Sequence, residues 1–502
     1  MRKISLILLV MFISIGCDNF LEQENLSQLT EESFWQNADD ARKAIVATYA
    51  ALQSYNGSKW TFFEHMYIGV TWKSDDILNS STNYGKSIAD FTNGTDDVTF
   101  TSFWRSNYAG IAYANQVIEN VPGISAMSDS EKTEIIAEAQ FLRALYYFHL
   151  VVAFENVPLI TTVPESPDDF AVEQASPGEV WAQIENDFIA ARAGLPDDHG
   201  DNDIGRATKN SAIAYLGKVY LFQEKFTEAI AQFNSVIGAS YSLLDKYEDN
   251  FNGKGENGVE SVFEIQWSGD RKNDNDERHP FNYEVTPSAL GGWELFYPSD
   301  WLMSLMKVDT QATGGFSDRV YASVFFDDPL SVMSQRGAKV NKTYNEVRDE
   351  LDRSSYFKKY SDDFDLTFYN GININLMRYA DILLMQAEAL NENGQTDAAL
   401  SLVNQVRSRS KAVPLATMNQ SELRKQIRHH ERPVELSMEY TIRWFDLWRW
   451  AKSKSAPEPI SQTLKNHNKP FADNFRDGVH NIFPIPLSEI NVNAKLEQNP
   501  GY

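Results

Sequence analysis

Leu216-Gly217-Lys218-Val219-Tyr220-Leu221-Phe222-Gln223-Glu224-Lys225-Phe226-Thr227-Glu228-Ala229-Ile230-Ala231-Gln232-Phe233 carries the spacing that sets the architecture. Leu216, Gly217, Tyr220, Ala229 and Phe233 stand at the offsets of a repeat made of two antiparallel helices. Small and large residues alternate in such a unit because the helices must approach closely where Gly217 and Ala229 sit. One pair cannot bury its own apolar face, so this stretch predicts neighbours.

The offsets are those of the tetratricopeptide pattern. A second, looser match puts Ala387, Leu390, Ala399 and Val403 at corresponding places, with Asn393-Gly394 as the turn. Repeats of this kind need at least about three neighbours for a continuous core, so earlier helices must supply degenerate pairs. Glu131 to Phe154 keeps a helical period through Ile135, Ala139, Leu142, Leu145, Tyr146 and Leu150. Pro177 to Leu195 reads as an amphipathic helix, with Ser176 as its cap and Pro196 beyond its end. Asp39-Asp40-Ala41 opens another through Ala44, Ala47, Tyr49 and Leu52, and the Thr30 to Ser33 segment offers an N-cap. From Tyr241 to Asp365 the period weakens and Gly, Asn, Asp and aromatics accumulate. A few short strands and long ordered loops are expected there, and loops of that kind tend to carry function.

Composition limits what such a body does. The chain has 502 residues, 42% of them hydrophobic, enough for a packed core. Seventy acidic against 45 basic residues argue against nucleic-acid and anionic-membrane partners, which would repel the surface. Arg2 and Lys3, the apolar run Ile4 to Ile15, and Ser14-Ile15-Gly16-Cys17 read as a secretory signal, too short to span a bilayer. Cys17 is the single cysteine, placed where a bacterial lipoprotein is lipidated, although Ser14 stands where Leu is usual. The competing reading is an ordinary cleaved signal with a chance Cys. Residues 1–16 are thus assigned to the signal peptide, 17–240 to a helical N-terminal region, and 241–502 to a loop-rich insert followed by helices. No other segment reads as long and apolar enough to cross a bilayer.

Several further motifs run in a fixed order. After Cys17 come Asp18-Asn19-Phe20-Leu21, Phe34-Trp35 and the Asp40-Ala41 helix; Glu138 to Phe148 precedes Asn156-Val157-Pro158-Leu159. Arg378-Tyr379-Ala380-Asp381, Asn404-Gln405-Val406-Arg407-Ser408-Arg409, Glu431-Arg432-Pro433-Val434-Glu435 and Arg443-Trp444-Phe445-Asp446-Leu447-Trp448-Arg449-Trp450 follow. Phe483-Pro484-Ile485-Pro486 and Asn499-Pro500-Gly501-Tyr502 close the chain. In this order the chain resembles the SusD/RagB family of nutrient-binding outer-membrane lipoproteins of Bacteroidetes, with Tyr440 where the family commonly has Gly. The resemblance implies a mostly α fold, about four tetratricopeptide-like helical pairs acting as a scaffold. It implies a lipid anchor on Cys17 at the outer face of the cell outer membrane. It also implies a glycan ligand captured for a SusC-like TonB-dependent transporter, with no cofactor and no chemistry of its own. A peptide or glycopeptide ligand is the alternative within the class, and a surface glycoside hydrolase the alternative outside it.

The residues give no positive case for an enzyme. Glu431, Glu435, Glu439 and Arg443 at spacings of four suggest one helix face and helix salt bridges of about 0.2–0.5 kcal/mol each. Glycosidase acids flank a sugar from two sides instead. His429-His430 face different directions on a helix and form no metal-ligand pair. Asp274-Asn275-Asp276-Glu277 resembles part of a calcium loop but lacks its turn Gly.

Aromatics are the better candidates. A sugar ring offers a flat C–H face for stacking and a rim of hydroxyls for Asn, Asp, Arg or Gln. Family members build such a platform from an early and a later loop region, opposite the repeats. The early region here supplies Trp60, Trp72, Asp75, Asp76, Asn83 and Tyr84; the later supplies Trp267, Tyr283, Trp293, Phe296, Tyr297 and Trp301. Trp293, after two glycines in a loop, leads the set, with Trp72 and Tyr84 next. Trp104 and Trp301 have helical surroundings and read as core.

Overall fold

Gly217 lies on helix α5 (Lys209–Phe222) so close to α6 (Phe226–Ile237) that a Cβ there would stand 2.7 Å from the Phe233 ring. The close approach read from the repeat is therefore real, and Ala229 and Phe233 are fully buried beside it. The computed structural model describes residues 34–53, 69–80, 85–268, 279–335, 340–361 and 371–502. Cys17, the signal sequence, Thr30 to Ser33, Trp60, Asn83, Tyr84 and the Asp274 to Glu277 segment lie outside the described residues.

Six further helices continue the stack: α1 (Ala38–Ala50), α2 (Val98–Asn120), α3 (Asp129–Phe154), α4 (Pro177–Gly194), α7 (Tyr379–Glu392) and α8 (Thr396–Arg409). Each helix from α1 to α8 packs on the next, and α6 meets α7 across the long intervening insert. The result is four antiparallel pairs, α1/α2, α3/α4, α5/α6 and α7/α8. Local chemistry starts the helices, and for α4 it does so at the Ser176 cap that the sequence indicates. Ser176 and Glu179 form a reciprocal capping box on α4, and Ser128 and Glu131 do the same on α3. Helix α1 is capped by Asn37, whose side chain accepts from the Asp39 and Asp40 amides.

Helix α3 corrects one expectation. Its 26 residues are long and apolar enough to cross a membrane, contrary to the sequence reading, but that apolar stretch is buried at the centre of the stack. Phe141 on α3 sits edge-on to Phe188, Tyr215 and Phe263, with ring centroids 4.9–5.5 Å apart. These rings join three helices to the insert.

Among the described residues the strands form two-stranded ribbons rather than a broad sheet, some before the insert and some within it or at its end. The strands are β1 (Ile77–Asn79), β2 (Val157–Pro158), β3 (Gln174–Ala175), β4 (Ser261–Ile265), β5 (Phe296–Pro298), β6 (Val324–Phe326), β7 (Val332–Gln335), β8 (Val340–Thr343), β9 (Ser355–Phe357) and β10 (Ile374–Arg378). They pair antiparallel as β1 with β5, β2 with β3, β4 with β10, β6 with β9, and β7 with β8. Strand β10 runs directly into α7, so β4 is tied to the last helix pair.

The Glu431 to Arg443 ladder is not one helix face. A π-turn spans Ile427–Glu431, a short helix covers Arg432–Leu436, and the chain breaks at Ser437 to Thr441 before α9 (Ile442–Ala451). Met438 and Thr441 take left-handed backbone at the break. The carboxylates do not form the short-range helix pairs expected of them. Glu435 and Glu439 both bind Arg378, at 2.7 Å each, and Glu431 binds Arg407 at 2.6 Å and Arg319 at 3.0 Å. Arg319 also pairs with Asp309, Arg409 with Glu260 and Glu435, and Lys359 with Glu439. All of these side chains are buried. Arg443 leaves the ladder altogether and grips Asp75.

Candidate functional site

Ribbon β1–β5 brings the early and later aromatic regions together. Ile77 faces Pro298, Leu78 faces Tyr297, and Asn79 faces Phe296. The pairing extends at both ends, with the Ser80 amide donating to Leu295 O at 3.2 Å and the Ser299 amide to Asp76 O at 2.9 Å. Alternation along the ribbon turns Ile77 and Phe296 into the core and leaves Leu78 and Tyr297 half-buried on the other side.

The loop before β5 presents Trp293. Its backbone is fastened by donation from the Trp293 amide to Tyr283 O (2.6 Å), from Glu294 to Thr286 O (3.1 Å) and from Leu295 to Glu284 O (2.7 Å). The preceding residue must be glycine, because a Cβ on Gly292 would lie 2.0 Å from Thr286 O. Trp293 is 44% exposed, and the half-buried Tyr283 ring lies 5.3 Å away at 43°. Two aromatic faces thus form one tilted surface patch. Next to it Glu294 is buried; its carboxylate accepts from the Ser288 amide and hydroxyl at 3.2 Å and from Arg353 Nε at 3.0 Å. The Arg353 guanidinium in turn covers the Tyr297 ring at 3.6 Å. Glu294, committed in this way, is a positioning group rather than an acid aimed at a ligand.

Four of the expected ligand contacts lie beneath this surface instead. Trp72 is fully buried, its ring 5.3 Å from Phe296, and it supports the ribbon from below. Trp267 is buried edge-on to His279. Asp75 is fully buried and clamped by Arg443 through two 2.6 Å bonds, with His467 Nδ1 also at 2.6 Å. Burial alone would raise its carboxyl, but Arg443 and His467 together hold it well below the usual carboxylate range. Asp76, buried beside it, is pushed the other way, up to about 6, by burial and then by the Asp75 charge. These residues were expected on a ligand rim because they are polar or aromatic and lie in a loop; long-range partners place them in the interior.

Trp104 is core, as expected. Trp301 is half-buried against the core, and stacks on His467 at 3.8 Å and 9°. Sequence reasoning missed Arg353 and Glu294, which stand in a stretch without motif or period. His429 and His430 do face apart, toward Glu458 and Asp309. Among the described residues no three His, Cys, Asp or Glu side chains gather in a way that would hold a metal ion.

Known proteins resemble the chain along its whole length. The sequence profile described as the SusD family matches residues 259–502, and one described as "Starch-binding associating with outer membrane" matches 19–221. SusD-like protein P2 of Formosa agariphila is 28% identical over 549 aligned residues, covering 100% of both chains. A solved SusD superfamily protein from Bacteroides vulgatus superposes with a TM-score of 0.81 at 24% identity, covering 93% of this chain and 100% of that one. A laminarin-binding SusD-like protein superposes with a TM-score of 0.73 at 27% identity, again covering 93% and 100%.

Proposed function

From the premise that this chain belongs to the SusD family, we propose that it captures a glycan at the outer membrane. A lipid on Cys17 tethers it facing the exterior, and a SusC-like TonB-dependent transporter receives the captured oligosaccharide. The observation that carries the reading is the exposed Trp293 with Tyr283 at its side, fixed where β5 meets β1. Backbone hydrogen bonds from Trp293 and the two residues after it hold this loop in place, and 44% of Trp293 remains exposed to water. Stacking a sugar's apolar face on it removes that surface from water. Tyr297 borders the patch, and Asn83 and Tyr84 follow β1 by a few residues; they supply the rim contacts in this reading.

Trp293→Ala tests it. The variant should lose at least about tenfold in affinity for a glycan identified by array screening of the chain from residue 18. Its melting temperature should stay within about a degree of the parent's, since substitutions of exposed side chains usually fall within roughly 0.5 kcal/mol. Parental affinity in the variant would displace the site, and a parent that binds peptides but no glycan would change the ligand class. Anchoring has its own test. Cys17→Ala should release the protein from the outer membrane, and external protease should reach the parent on intact cells; retention of the variant would refute the lipid tether.

A further inference from the structure

A second aromatic stands beside the ribbon, on a turn no sequence motif marks. Between helix Ile460–Asn466 and the short turn Ala472–Asn474, Asn468 and Phe471 both adopt left-handed backbone, with φ of +54° and +61°. Side-chain-bearing residues hold that conformation only when their surroundings enforce it. The enforcement is visible in Lys469, which is buried between them and donates to Trp72 O at 2.9 Å and Ile77 O at 2.7 Å. Asn474 adds a bond from its amide to Asp90 O at 2.9 Å. All of this fixes Phe471 outward, 53% exposed, with the Lys86 ammonium 4.7 Å over its ring.

Phe471, Tyr297, Leu78, Asn79, Lys86 and Asp90 line a cleft of about 140 Å³. That is well below the roughly 300–1,000 Å³ of pockets for drug-sized ligands, so it takes a single ring. Its walls are apolar on Phe471, Pro470, Leu78 and Ala89, and polar at Asn79, Lys86, Asp90 and Lys469, with Tyr297 also in the lining. Lys86 already pairs with Asp90, and the third charged group of the lining, Lys469, is buried and donates to Trp72 O and Ile77 O, so every cation here is already committed and none is offered to an anion. Tyr297 follows Trp293 by four residues, a chain distance of at most about 14 Å.

We propose that this cleft is a further subsite that holds one neutral pyranose ring of the oligosaccharide whose other end lies on Trp293. The inference rests on the glycan reading of Trp293. It adds that the ligand is a chain of several neutral sugars and that Phe471 sets a preference for length. The ring stacks on Phe471, and its hydroxyls meet the Asn79 amide and the Lys86–Asp90 pair.

The test titrates the parent, Phe471→Ala and Trp293→Ala with oligomer ladders prepared from laminarin and from starch, and with alginate fragments. Phe471→Ala should bind monomers and dimers of the ladder it recognises as the parent does, and lose roughly tenfold for the longer oligomers. Trp293→Ala should lose affinity at every length. Phe471→Gly, which relieves the left-handed backbone, should melt no lower than the parent and show the same length-selective loss. If Trp293→Ala weakens binding while Phe471→Ala matches the parent at all lengths, the subsite is overturned and the glycan reading stands. A parent that binds neither neutral ladder, or binds alginate more tightly than both, also overturns it.

Discussion

Trp72 and Trp293 present the same signal to a reader of the sequence, an aromatic in a polar, loop-like stretch, yet one is fully buried and the other 44% exposed. The difference lies in partners far along the chain. Phe296 packs on the Trp72 ring, Arg443 neutralises Asp75 and His467 hydrogen-bonds it, so the Trp72 to Asp76 stretch sinks into the interior. No local pattern encodes this, because the compensating charges come from the C-terminal region. The exposure of Trp293 was legible for a local reason: two glycines before it place it in a loop, and the structure adds that Gly292 passes too close to Thr286 O for a Cβ. The two tryptophans should therefore separate in a melt. Trp72→Ala should cost about 3–5 kcal/mol, as truncation of a core aromatic does, and Trp72→Phe should recover much of it. A Trp72→Ala protein that melts with the parent would remove Trp72 from the core.

Helices are the elements the sequence specifies best, because their period and caps are local. The α5/α6 and α7/α8 pairs follow from small residues at the right offsets, and α3 and α4 from periodicity, with a Ser cap read for α4. The β1–β5 ribbon was not legible. Its strands have three residues each, too few for an alternation to register, and their pairing depends on a contact between segments about 220 residues apart. The break at Ser437 to Thr441 was hidden as well, since the left-handed positions are Met438 and Thr441 instead of glycine. At the pair that anchors the reading, Gly217→Leu should force the helices apart. Phe233 already lies 2.7 Å from where even a Cβ would sit, and overpacking of this kind costs about 1–3 kcal/mol or more. The expected result is a lower melting temperature with glycan affinity retained in the folded fraction. An unchanged melt would mean that α5 and α6 do not meet at this glycine.

Across the whole molecule, the charged residues of the C-terminal motifs act as internal ties. Arg378 at the start of α7, Arg407 and Arg409 on α8, and Glu431, Glu435 and Glu439 meet Glu260, Asp309, Arg319 and Lys359 from the insert. Five carboxylates face five cations, their side chains all nearly covered, so the cluster has no net charge while complete. Such a cluster is weak evidence for added stability, but losing one partner strands a charge and costs about 3–5 kcal/mol. It also ties stability to pH. Burial alone would raise the Glu435 carboxyl, but Arg409, Arg378 and Arg319 hold it down at about 2. Glu388, similarly opposed by Arg449, is also held at about 2. An unfolded glutamate titrates near about 4.3, so a group depressed in the fold contributes stability that is complete above that value. The contribution disappears as pH falls toward 2. The melting temperature should lose these contributions between about pH 4.5 and 2, with each protonation removing one of the carboxylate charges that the buried guanidinium groups share. Glu435→Gln should melt lower than the parent at pH 7, and its further decline on acidification should be shallower, since one of the titrating ties is already gone. Glu388 keeps the decline from vanishing. Parallel melting curves across that range, displaced by a constant amount, would show that Glu435 does not titrate with folding and that the acid sensitivity resides elsewhere.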